Sequence, residues 1–276
     1  MRTYGAAQKL GIGLGWRPEL AIAIDREDAL GFVEITGEHF PDARVPDALL
    51  RLRDRGRTVI PHGISVSLGS AEGFDRAALR RLDALAKVFD SPFVCEHLAF
   101  VRAGGVEAGH LLPMPPTRDS LNVVVENIRM AEAMLSVPLA IENISALFAW
   151  KDAEYSEAEF LREVLARTDA LLLLDTSNVY ANAHNLGLRV ADFPDGVPLE
   201  RLAHVRVGGG MESADGPAAD AAAFGRHLHH QRLLPAEAVF EQIMLDIRTS
   251  RRFRCGRANG RWVAIIRIAS RICVWR

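Results

Sequence analysis

Eight short apolar runs recur along this chain, separated by stretches with helical periodicity. They are GIGLGWR (11–17), FVEI (32–35), TVIPHGIS (58–65), PFVCEHLAF (92–100), PLAIENIS (138–145), LLLLDTSN (171–178), LAHVRVGGG (202–210) and AVFEQIML (238–245). Most are too short for helices and nearly continuous in apolar character, as parallel strands covered on both faces are. Between them, residues 75–89 place Leu79, Leu82, Leu85 and Ala86 on one helical stripe. Residues 117–135 open with TRDS, which supplies N-capping side chains, and residues 156–167 open with SEAE, a capping box. Strand and helix in alternation specify an α/β parallel sheet. Eight repeats favour closure into a (β/α)8 TIM barrel over an open sheet.

Several runs end in groups a buried strand cannot hold unpaired. His62 ends one, His97 follows Glu96 in another, and Glu142 precedes Asn143 in a third. Asp175 ends LLLL, with Asn178 just beyond it. Burying such groups without a partner costs several kcal/mol, on the order of 2–7 even for a neutral polar group. In a barrel the C-terminal strand ends share one mouth, so these residues point to one polar centre, most simply a metal site. Each has a plainer reading: a core histidine bonded to a carbonyl for His62, a surface histidine for His97, a structural ion pair for Glu142. Asn178 either caps the next helix or bonds into the site. Neighbouring strand residues face opposite ways, which puts His97 inward and Glu96 toward the helices. Glu34 and Glu38 read as groups supporting the ligands. His204 and Arg206, two apart on the seventh run, share a face. HLHH (227–230) reads as a solvated surface.

Composition narrows the function. No run reaches about 18 apolar residues, so no membrane span is expected. The N-terminus lacks a signal-peptide pattern, and Cys95, Cys255 and Cys273 form no disulfide framework. The expectation is a cytoplasmic protein with Cys95 as a packed thiol. Nine of the 33 basic residues are arginines between Arg248 and Arg276, a stretch without acids, which leaves 24 against 35 acids before it. An acidic body argues against nucleic acid as partner. The expected division is a TIM-barrel metal-binding domain over 1–247 and an Arg-rich tail over 248–276. The tail does not read as a closing barrel helix, and one reading of it is a translated altered frame.

PHGISVSLG, CEHLAFVRAGG, GHLLPMP, LAIENISALF and LLLLDTSNVYANAHNLG, in that order, resemble one family over about Gly11 to Gly210. It is the multinuclear non-haem iron oxidative enzymes, formerly of unknown function, which include the iron subunit of methanobactin biosynthesis. The resemblance implies a TIM barrel holding two or three iron ions and oxygen-dependent modification of cysteine in a ribosomally made precursor peptide. A separate peptide-recognition protein or domain presents that peptide. It places the family's ligands on His62, His97, Glu142 and Asp175, and imidazole with carboxylate suits iron.

Departures begin at the seventh run. Where the family reads like HVAGG, with a histidine ligand, this chain has HVRVGGG. Arg206 stands in the aligned place and His204 lies about 6–7 Å back along the strand. The family's Asp-Thr-His segment is missing; DGPAADAAAFGRHLHH stands there, with Asp220 and His227 as weak substitutes. At the end of the eighth run Asp246 in MLDIR replaces a glutamate. The candidate metal ligands are therefore His62, His97, Glu142, Asp175, Asn178, His204 and Asp246. Two rival readings stand beside the iron enzyme. One is a sugar-isomerase or endonuclease type of barrel using zinc, manganese or magnesium. The other is a degenerate, inactive member of the iron family.

Overall fold

A computed structural model describes residues 10–190, 193 and 196–208, together with the backbone of 210–213, 216–218, 232–234 and 264–267. Seven parallel strands follow the expected runs: β1 (Ile12–Gly15), β2 (Leu30–Thr36), β3 (Thr58–Gly63), β4 (Val94–His97), β7 (Leu139–Glu142), β8 (Leu171–Asp175) and β9 (Leu202–Gly208). The eighth place, between β9 and β1, is taken by β13 (Ala264–Arg267), which closes the barrel. The run expected there, 238–245, lies outside the described residues.

Helices α1 (Ala21–Arg26), α2 (Asp47–Asp54), α3 (Arg76–Phe89), α4 (Arg118–Met134), α5 (Glu157–Arg167) and α6 (Thr176–Leu186) surround the strands. Side chains set the starts of α3, α4 and α5. Asp75 accepts from the amides of Ala77 and Ala78, Thr117 from Ser120, and Ser156 with Glu159 forms a complete capping box. The stripe Leu79, Leu82, Leu85, Ala86 of α3 is buried; Leu79, Leu82 and Ala86 join Leu121, Val124 and Ile128 of α4 and Leu161 and Val164 of α5 in the outer core, while Leu85 packs with Val33, Leu49 and Leu52. Burial of apolar surface stabilises by about 25 cal/mol per Å², and this belt contributes to it.

Inside the barrel Phe32, Ile60, Phe93, Cys95, Ala140 and Leu173 fill one apolar floor. Gly13 makes room for it: a Cβ there would sit 2.3 Å from the Phe32 ring. A hairpin, β5 (Phe100–Ala103) and β6 (Val106–Leu112), stands outside the barrel after β4. It turns through Gly104 and Gly105, both at positive φ, as a two-residue hairpin turn requires. Strands β10 (Gly210–Ser213), β11 (Gly216–Ala218) and β12 (Arg232–Leu234) form a small antiparallel sheet after β9. Among the described residues no helix is long and apolar enough to cross a membrane.

Candidate metal centre

The polar centre follows from strand period two. Two residues beyond Phe32, Ile60, Cys95, Ala140 and Leu173 of the apolar floor come Glu34, His62, His97, Glu142 and Asp175. His204 and Arg206 repeat the step on β9. Successive side chains of a strand alternate faces, so an inward apolar floor is followed by an inward ionisable one. Parallel pairing levels it: His97 is the register partner of Glu142, and Asp175 that of Arg206.

Three of these side chains meet. The Nε2 atoms of His62 and His97 lie 3.4 Å apart, and Glu142 Oε2 is 3.2 Å from the first and 3.4 Å from the second. A tetrahedral divalent ion with bonds of about 2.0–2.1 Å sets its ligand atoms about 3.3–3.4 Å apart, so this triangle fits one ion. The second contacts suit the same role. His97 Nδ1 is 3.0 Å from the carbonyl of Gly63, to which it donates, leaving Nε2 toward the corner. Glu96 faces away from the barrel interior, as expected. Its Oε1 accepts from the His97 amide and its Oε2 from the Val66 amide, at 2.8 and 3.1 Å. Burial opposes a charge on His97, but the Glu142 and Glu96 carboxylates outweigh it and push its pKa up to about 9. Without an ion His97 therefore carries a proton that a metal would displace.

Arg206 enters the same space. Its Nη1 donates to both oxygens of Glu142, at 2.7 and 2.9 Å, and its Nη2 to Glu34 Oε1. Nη2 also lies 3.1 Å from His62 Nδ1, which must accept, since guanidinium is donor only. Burial would raise the pKa of Glu34 and Glu142, but the Arg206 charge reverses this and holds both below their ordinary values. Glu34 is thus a full member of the centre rather than a supporting group. Its sequence signal, an acid inside the apolar run FVEI, was the same as that of Glu142. Glu38 supports a loop, accepting from the Ile64 amide and the Ser65 hydroxyl at 2.9 and 2.6 Å.

The remaining candidates are placed differently. Asp175 stands at its level of the ring, and its Oδ1 caps α6 through the amides of Ser177 and Asn178. Asn178 donates from Nδ2 to the Asn143 carbonyl, so it fixes the strand end beside Asp175. Among the described residues, two groups of ligand-type atoms lie within 4.8 Å of one another: His62–His97–Glu142 and Glu34–His62–Cys95. Asp175 is in neither. His204 is buried against Phe93, stacked at 5.6 Å, with Nε2 3.3 Å from Glu34 Oε2 and Nδ1 without a hydrogen-bond partner among the described residues. Burial lowers its pKa, which keeps it neutral. Burial, reinforced by the Glu34 charge, holds the Cys95 thiol well above its ordinary value, so it is a packed thiol as expected. Asp246, Asp220 and the HLHH segment lie outside the described residues.

Residues 11–233 match the family described as RiPP precursor modification enzyme MbnB/TglH/ChrH. A UPF0276 protein of Streptomyces avermitilis is 47% identical over 219 residues, covering 77% of this chain and 44% of its own length. One from Rhizorhabdus wittichii is 41% identical over 202 residues, covering 71% of this chain and 72% of its own. The chain thus spans less than half of the first relative and nearly three quarters of the second. Among solved structures, a 3-keto-D-glucoside 4-epimerase from E. coli aligns with a TM-score of 0.53 at 15% identity, over 95% of this chain and 94% of that one. A D-tagatose 3-epimerase-like protein aligns at 0.52 and 12% identity, over 93% and 90%. These two likenesses bear on the barrel fold alone.

Proposed function

Because the chain belongs to the RiPP precursor modification enzyme MbnB/TglH/ChrH family, we propose that it oxidatively modifies cysteine in a ribosomally made peptide, using iron and molecular oxygen. The observation that carries this reading is the triangle of His62 Nε2, His97 Nε2 and Glu142 Oε2, whose edges of 3.2–3.4 Å match the ligand spacing of one divalent ion. When bound, iron would supply Lewis acidity toward a thiolate and one-electron chemistry with oxygen. Oxygen takes up the electrons the peptide loses.

The chain's own residues do the positioning. The Gly63 carbonyl holds the His97 ring through Nδ1, and Glu96 holds the His97 backbone amide. The floor of Phe32, Ile60, Cys95 and Leu173 keeps water from beneath the corner. Around the mouth, the loops after β3 and β7 expose Ile64, Leu147, Phe148 and Trp150. Exposed apolar side chains clustered beside a polar centre suit an extended peptide and a protein that presents it.

The test is co-expression with a cysteine-containing peptide and a presenting protein chosen from the neighbouring genes. Peptide mass, iron content and oxygen uptake are the readouts. A mass change that needs both iron and oxygen is expected. The same change in iron-free or anaerobic protein would refute the reading, and full activity with zinc or manganese would favour the isomerase-type alternative. One observation favours a second reading, a non-catalytic family member: Arg206 already neutralises Glu34 and Glu142. Iron-loaded protein that leaves the peptide unchanged would support it.

A further inference from the structure

We propose that Arg206 takes the place of a second metal ion, limiting this chain to a single ion at the His62–His97–Glu142 corner. The inference rests on the metal corner described above and concerns how many ions it admits.

The centre offers two overlapping groups of ligand atoms, and His62 belongs to both. The second group is Glu34, His62 and Cys95, so an ion there would need Glu34 and His62. The guanidinium holds both of these, and Glu142 beside them. Nη2 meets Glu34 Oε1 and lies 3.1 Å from His62 Nδ1, and Nη1 lies 2.7 Å from Glu142 Oε1. Guanidinium keeps its proton at every pH a protein tolerates. An ion bound to the same atoms would face a permanent cation at van der Waals distance, in a site with only 12% of the Arg206 side chain exposed. The two occupants exclude one another. Replacement is also favourable in shape, since a planar fork with five donors spans two carboxylates that a spherical ion would have to bridge.

Arg206 further tunes the first ion. With Nδ1 accepting from Arg206, the proton of a neutral His62 sits on Nε2, the atom that faces the corner. For Nε2 to bind an ion, that proton must move to Nδ1 and the Arg206 contact must open. Glu34 Oε2, 3.7 Å from Nδ1, is then the acceptor at hand. Arg206 therefore weakens the first ion as well as excluding the second.

The experiment is anaerobic Co2+ titration of chelator-treated protein. Visible absorption follows binding, and elemental analysis after gel filtration counts the ions. The parent chain is compared with Arg206→His and with Arg206→Gln, which keeps a polar amide without charge. We expect one Co2+ in the parent chain and one more in Arg206→His. In Arg206→Gln the first ion should tighten about tenfold or more, the equivalent of one lost hydrogen-bonded charge contact. Should either variant fold poorly without metal, it is purified in Co2+ and its bound metal counted. Two or more ions in the parent chain overturn the proposal, and so do variants matching it in both stoichiometry and affinity. A parent chain that takes no cobalt beside a variant that does upholds the role of Arg206 while refuting the metal corner. No step here depends on peptide turnover, so loss of the oxidative reading leaves this result standing.

Discussion

Gly63 lies where two demands on the backbone meet. Its carbonyl accepts from His97 Nδ1, and the face where a side chain would grow is already filled. A Cβ would sit 2.4 Å from Glu96 Oε2 and 2.7 Å from Leu82 Cδ1. Glu96 cannot simply swing away, because its two oxygens hold the amides of Val66 and His97. Gly63→Ala should therefore both overpack the strand end and tilt the His97 ring. We expect a loss of about 1–3 kcal/mol in urea unfolding, with weaker Co2+ binding in the same sample. An alanine variant equal to the parent in both measurements would show that Glu96 does not set His97. The glycine of PHG is thus a packing requirement beside the chemistry.

At the scale of elements, ties between helices and loops hold the barrel in shape. On α6, Asn178, Asn182 and Asn185 fall on one face at steps of four and three. Their amide groups donate to the carbonyls of Asn143, Ile144 and Ala146, pinning the loop after β7. On α3, Asp83 accepts from the amide and hydroxyl of Ser136 at 2.7 and 2.6 Å and pairs with Lys87 at 2.6 Å. Burial pushes Asp83 up, but the Lys87 and Ser136 bonds outweigh it and lower its pKa from 3.8. A carboxylate with a depressed folded pKa contributes fully above its unfolded value, and the contribution drains away as pH falls through the folded one. Asp83→Asn should thus cost about 1–2 kcal/mol at pH 7, with the gap to the parent closing below about pH 4. A gap constant from pH 7 to 3 would contradict that assignment. The sequence made the strands, the helices α3 to α5 and their caps legible, because apolar periodicity and capping side chains are local signals. His62, His97 and Glu142 were legible for the same reason, as ionisable groups inside apolar runs. The asparagine ladder was not, since each amide bonds a carbonyl more than thirty residues away. Nor was the partnership of Arg206 with Glu34, which joins residues 172 apart through barrel closure. The hairpin after β4 leaves only Gly104-Gly105 as a local turn signal, because its strands are short and largely exposed.

Closure is the property of the whole molecule on which the centre depends, and it rests on a short strand. β13 pairs with β9 through Ala264–Val205, Ile265–Arg206, Ile266–Val207 and Arg267–Gly208, and with β1 through Gly13–Ile265. Without β13, both β1 and β9 become sheet edges with unpaired backbone groups, a standing invitation to self-association. Arg206 lies on β9, so the same opening frees the strand that delivers the guanidinium to Glu34 and Glu142. A chain ending at Val263 removes β13 and retains 238–245, the run the sequence pattern favoured as the closing strand. If β13 closes the barrel, this truncation should unfold at a lower temperature and over a broader range, elute as oligomers in size-exclusion chromatography, and lose the Arg206-dependent difference in Co2+ uptake. If 238–245 closes it instead, the truncated chain should stay monomeric with an unchanged midpoint. The second result would remove β13 from the barrel while leaving the His62–His97–Glu142 corner intact, because the strands that carry it, β3, β4 and β7, pair with one another in unbroken order on the far side.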